Sequence, residues 1–351
     1  MSWVHELARP DIVALKPYEP ASWEPSLERL HANELPWRPA DDGSCAGLNR
    51  YPEPQPRALI ERLADLYAIP PESLLVGRGS DEAIDLLTRA FCRAGYDAVL
   101  VCPPTFGMYS VSARIQGAEV LQTPLLAANG FALDEQGLLE HCTAAVKLVF
   151  LCSPNNPTGN LLDEKAILRI ARRLAGRALV VIDEAYIEFA GRPSLARRVA
   201  ELPNLAILRT LSKAHGLAGA RCGALIADPE IIVLLRKIIP PYAIAQLTLE
   251  AVLDRLTREA RAQSLARLEV LLAERARLMQ GLPRLSRVTR VWPSDANFVL
   301  AEFQDAGAAL ACAREARLLV RDARGYPGLG RALRITVGTP EQNGRLLETW
   351  A

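Results

Sequence analysis

A lysine in the segment 210–223, TLSKAHGLAGARCG, is the strongest candidate in the chain for a chemically reactive side chain. Lys213 stands there among small residues, directly after a predicted strand. A lysine in a closed site loses its proton on desolvation, and the neutral amine can then act as a Schiff-base nucleophile. Ser212 and Arg221 lie nearby, and an arginine fork suits the oxygens of a phosphate. Taken alone, the segment is equally consistent with a solvated surface lysine.

A carboxylate ends the apolar run VVID at residues 180–183. Asp183 would stand at the carboxyl end of a strand, where open α/β sheets bind ligands. It could pair with the protonated nitrogen of an aromatic cofactor ring and keep that ring electron-withdrawing. An aspartate that only caps the next turn is the structural alternative. Tyr186 follows three residues later.

Two further loops follow predicted strands and could contact the same ligand. Asn156 lies in CSPNNPTG at 152–159, and its amide could hydrogen-bond a phenolic oxygen. Asn, Pro and Gly are also the residues of plain turns. Phe106 lies in PPTFGMY at 103–109, and its ring could stack on a planar cofactor or belong to the ordinary core.

A glycine turn before a predicted helix, VGRGSDE at 76–82, offers a site for an anion. The exposed N–H groups at the start of the Asp81 helix could bind a phosphate. The turn half-matches the dinucleotide fingerprint G-x-G-x-x-G, but Glu82 replaces the third glycine, which disfavours a dinucleotide site. A helix that Ser80 simply caps is the alternative.

An arginine in the apolar run LRITVGT needs a partner. Charged side chains are almost never fully buried unless they are paired. Arg334 therefore predicts either a buried carboxylate or an anionic ligand. Arg321 is a second candidate, although an ion pair with Asp322 is its simpler role.

Short apolar runs alternate with helical stretches, which predicts an α/β fold with a mostly parallel sheet covered on both faces. The predicted strands are 74–76, 98–102, 119–123, 148–152, 179–183, 205–208 and 223–227. The predicted helices are 81–94, 109–116, 162–174, 195–201 and a long charged helix over 247–282. Residues 1–56 show little periodicity and predict an extended arm. We expect an arm (1–45) joining the small domain, a large domain (46–240) and a smaller α+β domain (241–351).

Composition excludes several classes of protein. The 351 residues carry a net charge of only +1, so no global attraction to nucleic acid or membrane is expected. The seven cysteines stand singly and the four histidines form no ligand-spaced cluster, so no metal site is predicted. The first residues carry an acidic side chain and lack the apolar stretch of a signal peptide. These features predict a cytoplasmic protein.

The order and spacing of these segments together resemble the fold-type I aminotransferases of class I and II, which depend on pyridoxal phosphate. The resemblance runs from about Tyr18 to Gly338 and is carried by NRYPEP, GRGSDEAIDLLTRAF, CPPTFGMY, CSPNNPTGN, VIDEAYIEF, RTLSKAHGLAGARCG and LRITVGT. Within this superfamily the chain most resembles the histidinol-phosphate aminotransferase family. That family converts histidinol phosphate and 2-oxoglutarate to imidazole acetol phosphate and glutamate in histidine biosynthesis.

The resemblance implies a role for each matching residue. Lys213 holds the cofactor covalently and shuttles the proton, and Asp183 pairs with the ring nitrogen. Phe106 stacks on the ring, where many relatives have tyrosine. Asn156 and Tyr186 contact the ring oxygen. The cofactor phosphate is held by Ser80, Asp81, Ser212, Arg221 and the neighbouring subunit's Tyr51. The substrate's anionic end is bound by Arg334, Arg321, Tyr18, Asn33 and Asn156.

The resemblance also implies a homodimer with shared active sites and leaves alternatives open. Threonine-phosphate decarboxylases and aromatic-amino-acid aminotransferases share much of the pattern. His215 stands where an aromatic residue is common, and packing is its simplest role. A transcriptional regulator that senses the cofactor would need a DNA-binding domain and a basic surface, and neither is visible in the sequence.

Overall fold

The central sheet is built from continuous apolar runs, and the five residues Leu179–Asp183 are all buried. The computed structural model describes residues 2–22, 24 and 26–351. The strands of this sheet are β1 (Leu74–Gly77), β2 (Ala98–Val101), β3 (Glu119–Gln122), β4 (Val146–Cys152), β5 (Leu179–Asp183), β6 (Leu205–Thr210) and β7 (Gly223–Ile226). Their order is β1-β7-β6-β5-β4-β2-β3, and only β7 runs antiparallel to its neighbours. The predicted, mostly parallel sheet is confirmed.

Helices cover both faces of this sheet. One face carries α3 (Arg57–Tyr67), α6 (Glu135–His141) and α7 (Glu164–Arg173), and the other carries α4 (Ser80–Phe91), α5 (Met108–Gln116) and α8 (Pro229–Arg236). Alternate residues of a strand enter opposite cores, because successive side chains point to opposite faces. Val149 packs in the first core and Phe150 in the second.

Strand register brings the predicted site loops to one edge of the sheet. Cys152 is the partner of Asp183, and Asp183 is the partner of Leu208. The carboxyl ends of parallel strands meet at the same edge. The loops that follow β4, β5 and β6 therefore converge there. At the same edge a Cβ on Gly223 would lie 2.8 Å from the backbone of Gly79, so this close approach requires glycine.

A smaller domain follows, as predicted, with an antiparallel sheet and helices. Its strands are β8 (Val288–Val291), β9 (Phe298–Phe303), β10 (Arg321–Asp322) and β11 (Ala332–Thr336), in the order β10-β11-β9-β8. Its helices are α10 (Arg258–Gly281), α11 (Ala306–Glu315) and α12 (Pro340–Trp350). Phe303 and Trp350 stack edge to face with ring centres 4.8 Å apart in its core.

The prediction of one long helix over 247–282 is wrong, because two helices occupy this range. Helix α9 (Gln246–Arg255) ends before Thr257, whose side chain accepts a hydrogen bond from the Ala260 N–H and caps α10. Leu256, at the break, is fully buried and packs with Val252 in the large-domain core. Charged residues at helical spacing continue across the break, so periodicity alone does not reveal it. The helix predicted over 195–201 is only a 3₁₀ turn at Leu195–Arg198.

The arm is also more structured at its start than predicted. Helices α1 (Trp3–Leu7) and α2 (Pro10–Ala14) occupy a region expected to be extended. Val4 and Leu7 pack in the large-domain core, and the Arg9 N–H donates to the Ala90 carbonyl at 2.9 Å. The arm therefore begins on the large domain, whereas the sequence predicted that it joins the small one. Five-residue helices are too short for hydrophobic periodicity to detect.

In the part of the chain that the structure describes, we find no helix with the length and apolar character needed to cross a membrane.

Candidate active site

A cavity of about 150 Å³ lies at the carboxyl edge of the large sheet. Nine of the predicted site residues line it: Ser80, Asp81, Phe106, Asn156, Asp183, Tyr186, Ser212, Lys213 and Arg221. A wider groove of about 850 Å³ lies beside α7, and none of the predicted residues lines it. The chemistry of the lining residues, and not the size of the cavity, therefore identifies the candidate site.

Lys213 lies in the loop after β6, with its Nζ 5.7 Å from the centre of the Tyr186 ring. Loss of solvent lowers the pKa of Lys213, and repulsion from Arg334 lowers it further. Attraction to Asp81 and Asp183 opposes this. The net shift favours the neutral amine, which is the nucleophilic form. The loop is closed by hydrogen bonds from the Leu211 N–H to the Cys222 carbonyl and from the Leu217 N–H to the Leu211 carbonyl.

Asp183 is buried at the end of β5 with both carboxylate oxygens held. Its Oδ2 accepts a hydrogen bond from the Tyr109 hydroxyl at 2.8 Å, and its Oδ1 accepts one from the Ala185 N–H at 3.0 Å. Burial raises the pKa of Asp183 to about 6, although both hydrogen bonds oppose that shift. The carboxylate is therefore largely ionised at neutral pH and can pair with a cation in the cavity.

Asn156 and Tyr186 face the cavity from neighbouring loops. Asn156 is buried, and its Oδ1 accepts a hydrogen bond from Arg334 Nη1 at 2.5 Å. The Tyr186 ring packs edge-on against Phe298 with centres 5.1 Å apart. Burial raises the pKa of the Tyr186 phenol, so the hydroxyl stays protonated and can donate a hydrogen bond.

The start of α4 forms an anion cradle. Its N-cap is Gly79, which has no side chain to satisfy the first N–H groups of the helix. Arg221 adopts a left-handed conformation with φ of 52°, and its Nη2 lies 3.2 Å from Asp81 Oδ2. Its Nη1 lies 3.5 Å from Ser212 Oγ. Ser80 is the first helical residue and not the cap, so the simple capping alternative is wrong. The cradle offers backbone N–H groups, a hydroxyl and a guanidinium.

Arg334 lies on β11, and its guanidinium contacts Asn156, which lines the cavity. Among the described residues no carboxylate lies within 4.0 Å of either Arg334 or Arg321. The Arg334 guanidinium lies 5.1 Å from the centre of the Phe298 ring, and its buried Nε has no hydrogen-bond partner in the described part of the chain. Asp322 pairs with Arg324 at 2.8 Å and not with Arg321. The buried carboxylate, one of the two alternatives left by the sequence, is not found within 4.0 Å of Arg334 among the described residues, and the guanidinium donates instead to the Asn156 amide oxygen.

Comparison with known proteins decides the family. The model of the family described as aminotransferase class I and II matches residues 29–349. The chain belongs to the class I and II aminotransferases. The resemblance seen in the sequence motifs is thereby confirmed.

Two similar proteins and one similar solved structure carry the name histidinol-phosphate aminotransferase. The chain is 47% identical over 346 residues to the histidinol-phosphate aminotransferase of Stenotrophomonas maltophilia, covering 97% of this chain and 94% of the relative. It is 50% identical over 321 residues to that of Xylella fastidiosa, with 91% and 87% covered. The solved histidinol-phosphate aminotransferase of Clostridium acetobutylicum superposes with a TM-score of 0.79 at 22% identity, over 86% of this chain and 90% of that one. This likeness shows the shared fold.

Five predicted residues do not line the cavity: Arg334 and Arg321 of the small sheet, and Tyr51, Tyr18 and Asn33 of the N-terminal segment. Tyr51 stacks on Tyr242 with ring centres 4.5 Å apart and is about half exposed. Tyr18 is 71% exposed, and Asn33 has a left-handed backbone with φ of 56°. Within a single chain, the fold does not bring these three residues of the N-terminal segment to Lys213.

Sequence reasoning missed several residues of the site. Cys152, Ala185, Thr210 and Ala218 also line the cavity, and Tyr109 holds Asp183 from behind. Thr210 and Ala218 stand in the lysine segment and could have been found by their proximity to it. His215 faces away, with Nε2 3.7 Å from Glu188 Oε1. In the described residues no cluster of side chains could hold a metal ion.

Proposed function

We propose that this aminotransferase transfers the amino group of histidinol phosphate to 2-oxoglutarate, with pyridoxal phosphate as its cofactor, in histidine biosynthesis. The observation that carries the proposal is the cavity itself. It places the Lys213 amine, the buried Asp183 carboxylate and an uncapped helix start together. The activity named for relatives at 47% and 50% identity supports the choice of substrate.

The donors around the cavity fit pyridoxal phosphate. The uncapped α4 start with Ser80 and Asp81 N–H groups, together with Ser212 and Arg221, would hold its phosphate. Asp183 would pair with the ring nitrogen and Phe106 would lie on the ring face. Asn156 and Tyr186 would contact the ring oxygen. When bound, the cofactor supplies an electron-withdrawing ring that stabilises negative charge at the substrate α-carbon.

Lys213 has two tasks in this mechanism. Its Nζ would hold the cofactor through a covalent bond. The same Nζ, whose pKa is lowered by desolvation and by Arg334, would also serve as the base at the substrate α-carbon. A base with a lowered pKa can accept the α-proton and give it back at neutral pH.

Two arginines would bind the anionic end of each substrate. Arg334 and Arg321 are partners across the small sheet, and no carboxylate of the described residues lies within 4.0 Å of either one. A guanidinium binds both phosphate and carboxylate through paired hydrogen bonds. The same pair can therefore serve histidinol phosphate and 2-oxoglutarate in alternate half-reactions. Tyr18 and Asn33 would complete this substrate site.

A homodimer with shared active sites would explain the surface of the arm. Among the described residues of the segment 1–56, the large exposed apolar side chains are Leu15, Tyr18, Leu27, Leu30, Leu35, Trp37, Leu48 and Tyr51. An apolar surface of this extent favours burial against a partner. We propose a second copy of this chain as that partner, with Tyr51 reaching the neighbouring cofactor phosphate.

A cytoplasmic location is part of the same proposal. All seven cysteines are free thiols in the structure. Free thiols of this kind fit a reducing compartment.

A single half-reaction tests the proposed activity. The enzyme loaded with pyridoxal phosphate is mixed with histidinol phosphate alone, without 2-oxoglutarate. We expect the cofactor to convert to its amine form with stoichiometric release of the carbonyl product. Phenylalanine and threonine phosphate are the comparison substrates. Faster conversion with phenylalanine, or release of carbon dioxide from threonine phosphate, would contradict the proposal.

A further inference from the structure

We propose that Tyr109 is a positioning residue of this active site, which acts by donating a hydrogen bond to Asp183 and so holds that carboxylate ionised and oriented toward the cofactor nitrogen. The inference rests on the proposed function. Tyr109 does not line the cavity, so it would act only through Asp183.

The packing of Tyr109 fixes its hydroxyl. The residue lies in the first turn of α5 and is fully buried. Its ring stacks on Phe150 with centres 4.9 Å apart and planes 2° from parallel. The edge of Phe106 meets it at 5.6 Å and 82°. A ring clamped on its face and its edge presents the hydroxyl to Asp183 in one orientation.

The geometry at Asp183 leaves room for one further donor. The Tyr109 hydroxyl and the Ala185 N–H each hold one carboxylate oxygen. A carboxylate has about four acceptor positions, so a protonated ring nitrogen can be added without displacing either bond. Two fixed bonds define the direction in which the remaining lone pairs point.

The charged groups around Asp183 show why the phenol matters. Asp81 on α4 disfavours its ionised form and Lys213 favours it, and both act at longer range than the phenol. The Cys152 thiol and the Tyr109 phenol both have pKa values raised by burial, so both are neutral. The Tyr109 bond is thus the principal side-chain contact that favours the ionised carboxylate in a buried position.

Removal of the Tyr109 hydroxyl should therefore raise the pKa of Asp183. In Tyr109→Phe the ionised form of Asp183 loses one donor, which raises the pKa of Asp183. The acidic limb of kcat/KM against pH should move to higher pH by about one unit, as expected for one hydrogen bond to a charged group. The dissociation constant of pyridoxal phosphate, measured on the apoenzyme, should rise roughly tenfold for the same reason.

A matched variant separates this effect from simple loss of a phenol. Tyr67 is also buried, and its hydroxyl has no hydrogen-bond partner among the described residues. Tyr67→Phe removes the same atom from a site that does not contact Asp183. Neither its pH profile nor its cofactor affinity should change.

A double-mutant cycle tests whether Tyr109 acts through Asp183. In the Asp183→Asn background no carboxylate titrates, so Tyr109→Phe should not weaken cofactor binding further. An equal loss of affinity in both backgrounds would overturn the proposal. An acidic limb of kcat/KM that does not shift in Tyr109→Phe would also overturn it. A Tyr109→Phe protein that fails to fold would do the same, since the hydroxyl would then serve stability alone. If the wild-type enzyme itself neither binds the cofactor nor transaminates, the proposed function fails instead.

Discussion

Arg321 and Arg334 are direct partners across the antiparallel pair of β10 and β11. Two like charges opposite each other destabilise a sheet, and no carboxylate among the described residues lies within 4.0 Å of either guanidinium, although Asp322 attracts Arg321 at longer range. An anion bound between the guanidinium groups would relieve their repulsion. We interpret the pair as the binding site for the phosphate or carboxylate end of the substrate.

Replacement of either arginine should weaken substrate binding more than turnover. Arg334→Lys and Arg321→Lys keep the charge but lose the paired hydrogen bonds. The KM for histidinol phosphate should rise about tenfold or more in each, as for a lost charged hydrogen bond. Arg324→Lys is the matched control, because Arg324 pairs with Asp322 instead. Steady-state kinetics that show equal KM values in all three variants would contradict the assignment.

Lys213→Ala should abolish transamination and the covalent attachment of the cofactor. Borohydride reduction of the loaded wild-type enzyme should fix the cofactor on Lys213, and peptide mass spectrometry locates the label. Lys165→Ala, in which an exposed lysine of α7 is lost, should label and react as the wild type. A label found elsewhere than on Lys213 would remove the basis of the mechanism.

Asp183 should make the apoenzyme less stable as the pH rises. The pKa of Asp183 is raised from 3.8 to about 6 by burial, so between these values the folded state holds a proton that the unfolded state has lost. The resulting cost reaches about 3 kcal/mol at neutral pH. Asp183→Asn should therefore stabilise the apoenzyme at pH 8, and the gain should shrink toward pH 4.

Urea denaturation at several pH values measures this gain. Asp254→Asn, at an exposed position of α9, serves as control and should show no such dependence. The same Asp183→Asn change should lower kcat by about a hundredfold or more in the loaded enzyme, because a neutral amide cannot pair with a protonated ring nitrogen. An Asp183→Asn apoenzyme less stable than the wild type at pH 8 would refute the burial argument.

Mixed subunits should test the sharing of active sites. Lys213→Ala and Tyr51→Ala should each lower activity at limiting cofactor. In a mixed dimer the Tyr51→Ala subunit supplies an intact lysine and its partner supplies an intact tyrosine, so one complete site forms. Random mixing of equal amounts should restore about a quarter of wild-type activity, since half of the dimers carry one working site. No recovery on mixing, or a monomer by light scattering, would exclude the shared site.

Tyr96→Ala, at an exposed loop, is the control and should retain wild-type activity.

Local motifs in the amino-acid sequence were sufficient to predict most of the residues that line the cavity. Lys213, Asp183 and Asn156 each follow an apolar run that is typical of a strand, and parallel strands deliver such residues to one edge. This reasoning works because the distance from strand end to side chain is short along the chain. It predicted the boundaries of β5 to the residue, and it fails where helical periodicity runs through a break, as at Thr257.

Contacts between distant segments were decided only by the tertiary structure. The Tyr109 hydroxyl meets an aspartate 74 residues away, and this depends on how the Tyr109 ring reaches Phe150 of β4 and Asp183 of β5. Whether Arg321 and Arg334 lie opposite each other depends on the register of β10 and β11. A shift of one residue in that register would turn one of the side chains to the other face of the sheet. The amino-acid sequence determines which groups can do the chemistry through local spacing. Packing determines which of them are held together, because side-chain contacts across the core leave no periodic signal along the chain.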